Sequence, residues 1–237
     1  MYIKKYDIVK YKMIQYIFGL PVYIGSFENP PRVIDEVEYC RNNVKPKRKT
    51  KIVEILGGVQ DEDEGIIFDL RSYINETKYI NSEIEKHTKK LLKELNIEKL
   101  NLTTKICRDE KCTSLECSDI WFNIYNKGDH SSEHWHFSDP SDEIFCGPSE
   151  PMFSFNYMAK YKPETDAGFY FSNPSPMHTF YSEIEENVPQ FKRSIKLDIK
   201  EGQIVIFPSC FTHFVERHTV DNQRMTLSGN LYRFKYV

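Results

Sequence analysis

The sequence predicts a mainly β protein with flanking helices, its strand-rich half a sandwich or barrel. Three observations carry this. After about Leu100 the chain breaks into short runs rich in aromatic and β-branched residues, punctuated by Gly, Pro, Asn and Asp. Along these runs polar and apolar side chains alternate with the period of two that a strand imposes, whereas helical periodicity is confined to the first hundred residues. No solenoid or propeller repeat and no break in composition divides the chain, which predicts one domain over 1–237. Residues 1–100 are then a helical and irregular support layer around one early strand, and 118–234 the β core.

Taken in order, Phe18-Gly19-Leu20-Pro21-Val22-Tyr23-Ile24 reads as a strand entering the domain. Val33, Val37 and Cys40 recur at helical spacing and predict a short amphipathic helix. A second helix is expected to begin near Ser82, where Ser82 and Glu85 have capping-box spacing and Ile84, Leu91, Leu92 and Leu95 form an apolar stripe. Strands are predicted over 120–125, 152–161, 169–172, 194–199, 203–207 and 224–234, with the helices buttressing the sheet they form.

A net charge of -3 provides no overall cationic field, which weighs against nucleic acid as a partner. The one dense basic run, 45–51, is short and reads as a solvated loop. Residues 13–24 are apolar but interrupted by Gln15 and Pro21, and no small-residue cleavage site follows. Neither export nor a membrane span is therefore expected, and the reading is cytoplasmic, or the host cytoplasm for a viral protein. The six cysteines are scattered and expected as free thiols. Cys107, Cys112 and Cys117, with Cys146 beyond them, lack the two-residue knuckle of a zinc clip and fit a hairpin carrying thiols better.

The seven histidines are unevenly placed: three fall within 130–136, and His213 and His218 follow a strand near the C-terminus. If His134-Trp135-His136 is extended, both imidazoles share one face and Trp135 takes the other, as two cis ligands of one ion require. His213 is the best third candidate. It sits just past Gly202-Gln203-Ile204-Val205-Ile206-Phe207-Pro208-Ser209, an apolar strand ending in a turn, where a side chain can project into a barrel mouth. A lone histidine is more often a core or surface residue; the grouping is what points to a metal.

Two strands carry a polar face. Along 120–125, Ile120, Phe122 and Ile124 share one side and Trp121, Asn123 and Tyr125 the other. Along 224–230, Arg224, Thr226, Ser228 and Asn230 oppose Met225 and Leu227. In an ordinary antiparallel sheet the polar side meets water. Beside a histidine cluster, an inward arginine with neighbouring hydroxyls suits a dicarboxylate instead, because a guanidinium grips a carboxylate through two parallel charge-assisted bonds.

Asn123-Ile124-Tyr125-Asn126-Lys127-Gly128, with His134 nine residues after the tyrosine, resembles the Asn-x-Tyr-x-x-Gly approach to the first ligand in the iron(II)- and 2-oxoglutarate-dependent oxygenases. The segment from Glu201 to Ser209, then His213 and Arg224-x-Thr226-x-Ser228-x-Asn230, is similar to the C-terminal half of the same family. The likeness is strongest to small, prolyl-hydroxylase-like proteins of phages and marine bacteria, and covers mainly 118–234.

The resemblance implies a double-stranded β-helix, the jelly roll shared with cupins, and an enzyme using Fe(II), 2-oxoglutarate and O2. Such an enzyme hydroxylates an unactivated C–H bond with release of succinate and CO2. It implies His134 and His213 as iron ligands, Arg224 as partner of the remote carboxylate, and Thr226, Ser228, Asn123 and Tyr125 as further contacts of the cosubstrate. Relatives carry a carboxylate two residues after the first histidine, where this chain has His136. A three-histidine set is the expectation, with Asp139 as the alternative second ligand. The loop over 138–151 is expected to cover the barrel mouth and select a small-molecule or protein side-chain substrate. Oligomeric state is left open, a homodimer included. Two other readings use the same barrel: a cupin-like metal-binding or sensor protein, in which Arg224 would be a surface residue or an ion-pair partner, and a three-histidine dioxygenase that does not use 2-oxoglutarate.

Overall fold

Two β-sheets face each other, and two helices cover the outer face of the larger one. The structure is a computed structural model that describes residues 14–43, 65–70, 73–106, 117–136, 151–175 and 192–233. In chain order the elements are β1 (Ile14–Ile17), β2 (Leu20–Ser26), α1 (Pro30–Asn43), β3 (Ile66–Asp69), α2 (Lys78–Glu94), β4 (Leu102–Thr103), β5 (Lys105–Ile106), β6 (Cys117–Ser118), β7 (Ile120–Tyr125), β8 (Ser131–His134), β9 (Pro151–Lys160), β10 (Phe169–Ser172), β11 (Ser194–Lys196), β12 (Gln203–Pro208), β13 (His213–Val215) and β14 (Arg224–Arg233). The major sheet runs β1-β2-β12-β9-β14-β7-β3, with β4 also on β14, and the minor sheet runs β11-β10-β13-β8. All these pairs are antiparallel, and β5 pairs separately with β6. This is the double-stranded β-helix that the family resemblance implies.

Alternation decides which side of the major sheet does what. Phe153, Phe155 and Tyr157 of β9, Ile204 and Ile206 of β12, Phe122 of β7 and Leu227 of β14 point outward and pack under the helices. Val33, Val37 and Cys40 of α1 and Ile80, Ile84, Leu91 and Leu92 of α2 complete that core. On the inner side Val22, Val205 and Phe207 meet Phe169, Phe171 and Val215 of the minor sheet. The apolar filling therefore occupies the β2 and β12 side of the interior, and the polar row of β7 and β14 lines the rest.

Several boundaries differ from the sequence reading. Phe18 and Gly19 form a turn rather than strand, both with positive φ (49° and 83°), which lets β1 fold back on β2 as a hairpin. The first hundred residues thus hold more than one strand, since β1, β2 and β3 all join the major sheet. The expected strand over 194–199 ends at Lys196, and the last strand is described to Arg233, Phe234 lying outside the described residues.

The second helix starts at Lys78, not near Ser82, and Ser82 Oγ donates to the Tyr79 carbonyl inside it. Its N-terminal cap is non-local: the Glu36 carboxylate of α1 accepts from the Tyr79 and Ile80 N–H groups, each at 3.1 Å. No local motif could announce such a cap. At the other end Asn96 takes φ 55°, and the Asn96 and Ile97 N–H groups donate to the Lys93 and Leu92 carbonyls in a Schellman arrangement.

Candidate metal centre

His134 closes β8 and is the register partner of His213, which opens β13. Register partners on one face of an antiparallel pair bring their side chains within contact. His136 lies past the end of the ladder, so the extended segment expected over 134–136 is only partly a strand. Its N–H nevertheless donates to the Ser209 carbonyl at 2.9 Å, which preserves the alternation. The two imidazoles turn inward, while Trp135 is 52% exposed. The ligand-capable atoms of His134, His136 and His213 all lie within 4.8 Å of one another.

Each ring has one nitrogen already engaged. His134 Nδ1 donates to the Ser132 carbonyl at 2.7 Å and His213 Nδ1 to the Phe211 carbonyl at 2.9 Å. His136 Nδ1 meets Asn230 Oδ1 at 2.8 Å. A carbonyl oxygen can only accept, so each Nδ1 carries the proton and each Nε2 keeps its lone pair. Bonds of this kind on the far nitrogen orient imidazoles that ligate a metal.

Burial holds all three rings neutral. It pushes the His136 pKa down to about 3, with His134 adding to the effect, and sets His134 and His213 below the ordinary histidine value. Phe207 and Phe169 pack on His213, with ring centroids at 4.8 and 5.5 Å, and Trp121 stacks on His136 at 5.6 Å. Three convergent neutral imidazoles suit a first-row divalent ion.

The polar row faces inward. In β14 and β7, Arg224, Thr226 and Ser228 are register partners of Tyr125, Asn123 and Trp121. Arg224 is fully buried, with its guanidinium carbon 4.8 Å from the Tyr125 ring centroid and 5.5 Å from that of Tyr161. A weak hydrogen bond runs from its Nη2 to Met158 Sδ at 3.7 Å, and Nε and Nη1 have none. No carboxylate of the described residues lies within ion-pair distance of it. Arg224 is therefore not a surface residue and, among the described residues, not an ion-pair partner, as a cupin-like sensor would have it. Burial pushes its pKa down, opposed by Tyr125, Tyr161 and Asp166.

Energy decides how to read this position. Burying a phenylalanine contributes about 1.5–3 kcal/mol, whereas a buried cation without a partner costs several kcal/mol. The two aromatic faces beside Arg224 offset part of that cost.

Asn123 sits within the polar row. Its Nδ2 donates to Thr226 Oγ1 at 3.2 Å and to Ser228 Oγ at 3.1 Å. Both hydroxyls accept from the amide, so their own O–H protons are not used in these bonds. Asn123 thus orients donors. Tyr161, whose buried hydroxyl has no partner among the described residues, joins the row without a signal in the sequence, because it lies just past the end of β9. Asn230 was visible on the polar face, but its bond to His136 spans 94 positions and no spacing announces it. Asp139 lies outside the described residues, as do Cys107, Cys112, Cys146, the basic run 45–51 and the loop over 138–150. Cys40 and Cys210 are free thiols.

No family model matches the chain, and no curated protein sequence does. Solved structures do match. A prolyl hydroxylase from Trichoplax adhaerens, in complex with a hypoxia inducible factor peptide fragment, is 12% identical with a TM-score of 0.56, over 90% of this chain and 83% of that one. HygX from Streptomyces hygroscopicus, with nickel and 2-oxoglutarate bound, is 9% identical with a TM-score of 0.55, over 94% and 87%. A prolyl-4-hydroxylase from Pseudomonas putida is 12% identical with a TM-score of 0.52, over 90% and 93%. The chain has the fold of the 2-oxoglutarate-dependent iron oxygenases. At such identities a likeness speaks for fold, and activity has to be argued from the site.

Proposed function

We propose that this protein is an Fe(II)- and 2-oxoglutarate-dependent oxygenase that hydroxylates a C–H bond. The observation that carries the reading is Arg224: a fully buried guanidinium with Nε and Nη1 unpartnered, lining the interior from the major sheet while a cluster of three histidines lines it from the minor sheet side. A metal site alone requires no such cation. A cosubstrate with one carboxylate for the guanidinium and a second group for the metal requires both.

The donor set fits the two groups. His134, His136 and His213 would hold the iron through Nε2, and Arg224, with the Thr226 and Ser228 hydroxyls and the phenols of Tyr125 and Tyr161 beside it, would hold the remote carboxylate of 2-oxoglutarate. When bound, iron and cosubstrate supply the oxidation, with 2-oxoglutarate losing CO2 to become succinate as O2 is reduced. The residues of the chain bind and orient. Burial keeps the imidazoles deprotonated at Nε2, the three Nδ1 bonds fix their planes, and Asn123 turns two hydroxyl protons into the cleft. The aromatic side chains of Phe169, Phe207 and Trp121 exclude water from the ligand side.

The substrate we propose is a protein side chain or a small molecule. Structures with this fold include one with a peptide fragment and one with hygromycin B bound. Among the described residues no helix is long and apolar enough to cross a membrane.

The test is the stoichiometry of oxygen consumption. With Fe(II), 2-oxoglutarate and pools of peptides and metabolites, oxygen uptake should be matched by succinate. Oxygen uptake without succinate would assign the chain to the three-histidine dioxygenases that do not use 2-oxoglutarate.

A further inference from the structure

His136 is held differently from its two companions. The Nδ1 acceptors of His134 and His213 are backbone carbonyls two residues upstream, supplied by the local chain itself. The acceptor of His136 is a side chain from another strand, Asn230 of β14. An amide can present either its oxygen or its nitrogen, so a bond to Asn230 alone would not define which nitrogen of His136 bears the proton.

Asp119 removes the ambiguity. Its Oδ2 lies 2.9 Å from Asn230 Nδ2 and 2.7 Å from the Tyr232 hydroxyl. A carboxylate only accepts, so the atom of Asn230 facing it must be the nitrogen, and the oxygen must face His136. The Ser154 hydroxyl donates to that same oxygen at 2.7 Å, and Ser209, 2.9 Å from Ser154, then donates in turn. Every member is buried: Asp119 is 3% exposed, Asn230 8%, Ser154 0%, Ser209 1% and His136 5%. The backbone reinforces the link, with Asn230 N–H donating to the Asp119 carbonyl at 3.1 Å. Gly229 permits this approach, since a Cβ there would lie 2.5 Å from the Asp119 oxygen.

We propose that Asp119 is a positioning residue of the metal centre: through Asn230 it fixes His136 with the proton on Nδ1 and presents Nε2 to the ion. This rests on the metal reading above and deepens it, because it identifies what lets an imidazole serve at the position where the resembling family carries a carboxylate. Asp119 touches neither metal nor cosubstrate. Its effect travels along two hydrogen bonds.

The experiment has two readouts on the full-length protein. The first is the tautomer of His136 in metal-free protein, read from long-range 1H–15N correlations of the imidazoles and assigned with His136→Ala. The second is Co(II) affinity and the visible d–d spectrum of the Co(II) form. Wild type and Asp119→Asn should show the Nδ1–H form. Asparagine can place its Oδ1 where both the Asn230 and Tyr232 donations already converge, so Asp119→Asn should lose less than about tenfold in Co(II) affinity. Asp119→Ala and Asn230→Ala should give mixed tautomers, an altered d–d spectrum and an affinity loss of about 10–100-fold. Combining the two alanine variants should cost no more than Asn230→Ala alone. Should Asp119→Ala fold poorly, Asn230→Ala tests the same link from its other end.

An Nε2–H form in the wild type, or additive losses with the tautomer unchanged, would overturn the relay. Failure of wild-type protein to bind Co(II) while His136 shows the Nδ1–H form would instead overturn the metal reading and leave the relay standing.

Discussion

His134 and His213 are register partners across β8 and β13, with ring centroids 4.4 Å apart, so one backbone pairing fixes the distance between two candidate metal ligands. Each imidazole is also tied to a carbonyl of its own strand or turn. His134→Ala and His213→Ala should each lower Co(II) or Fe(II) affinity by more than about 100-fold, beyond the usual cost of disturbing a ligand's supporting partner. His136→Ala should rank with them and Asp139→Ala should bind nearly as wild type, measured by competition with a chelating dye. The reverse ranking would move the second ligand to Asp139.

Arg224 should matter to the cosubstrate and not to the metal. Removing a buried charge partner costs on the order of 2–5 kcal/mol, so Arg224→Ala should weaken 2-oxoglutarate binding at least about tenfold. Equilibrium dialysis against Mn(II)-loaded protein measures it, and Mn(II) affinity should stay within experimental scatter. Unchanged 2-oxoglutarate affinity in folded protein would take Arg224 out of the site.

Acid stability should depend on His87, on the helix that covers the outer face of the major sheet. It stacks on Phe27, accepts from the Tyr23 hydroxyl at 2.7 Å and donates to the Ser26 carbonyl at 3.1 Å. Burial, with Lys90, pushes its pKa down from 6.5 to about 4, against the pull of Glu83. Folded His87 therefore binds its proton more weakly than unfolded His87, and its contribution is intact above about pH 6.5 and is lost as pH falls through about 4. At about 1.4 kcal/mol per pH unit the full loss is up to about 3 kcal/mol. His87→Gln should flatten the fall in urea midpoint between pH 7 and pH 4; an equally steep fall would assign it to other groups.

Glu36 should stabilise α2 from outside. Replacing a capping group costs about 0.5–2 kcal/mol, so Glu36→Ala should lower unfolding free energy by about that amount. Glu36→Gln, which keeps one acceptor oxygen, should recover part of it.

Gly229 should tolerate no side chain. A Cβ would meet the Asp119 carbonyl oxygen at 2.5 Å and Phe155 Cζ at 2.6 Å. Overpacking of this kind costs typically about 1–3 kcal/mol. Gly229→Ala should show that loss in chemical unfolding, together with weaker Co(II) binding, because the clash separates Asp119 from Asn230.

Much of this architecture was legible before the structure. Period-two alternation placed Arg224, Thr226 and Ser228 on one face and Met225 and Leu227 on the other, and β14 keeps that division. Alternation could not say which face looks inward; burial of Arg224 between the sheets settles that. The spacing of His134, His136 and His213 to their flanking motifs located a cluster that the fold assembles. What spacing could not reach are contacts made only by chain crossing: Asp119 with Asn230, 111 positions apart, and Glu36 with the start of α2. The capping box at Ser82 misled for the same reason. A carboxylate from α1 outcompetes a local motif and moves the helix start to Lys78.

The most direct measurement is an anaerobic titration of the Fe(II)-loaded protein with 2-oxoglutarate, followed in the visible spectrum. Chelation of the metal by the 2-oxo acid should give a weak charge-transfer band that saturates at one cosubstrate per chain, disappears in His213→Ala and needs a much higher concentration in Arg224→Ala. Iron bound at one per chain with no such band at any concentration of 2-oxoglutarate would contradict the proposed function.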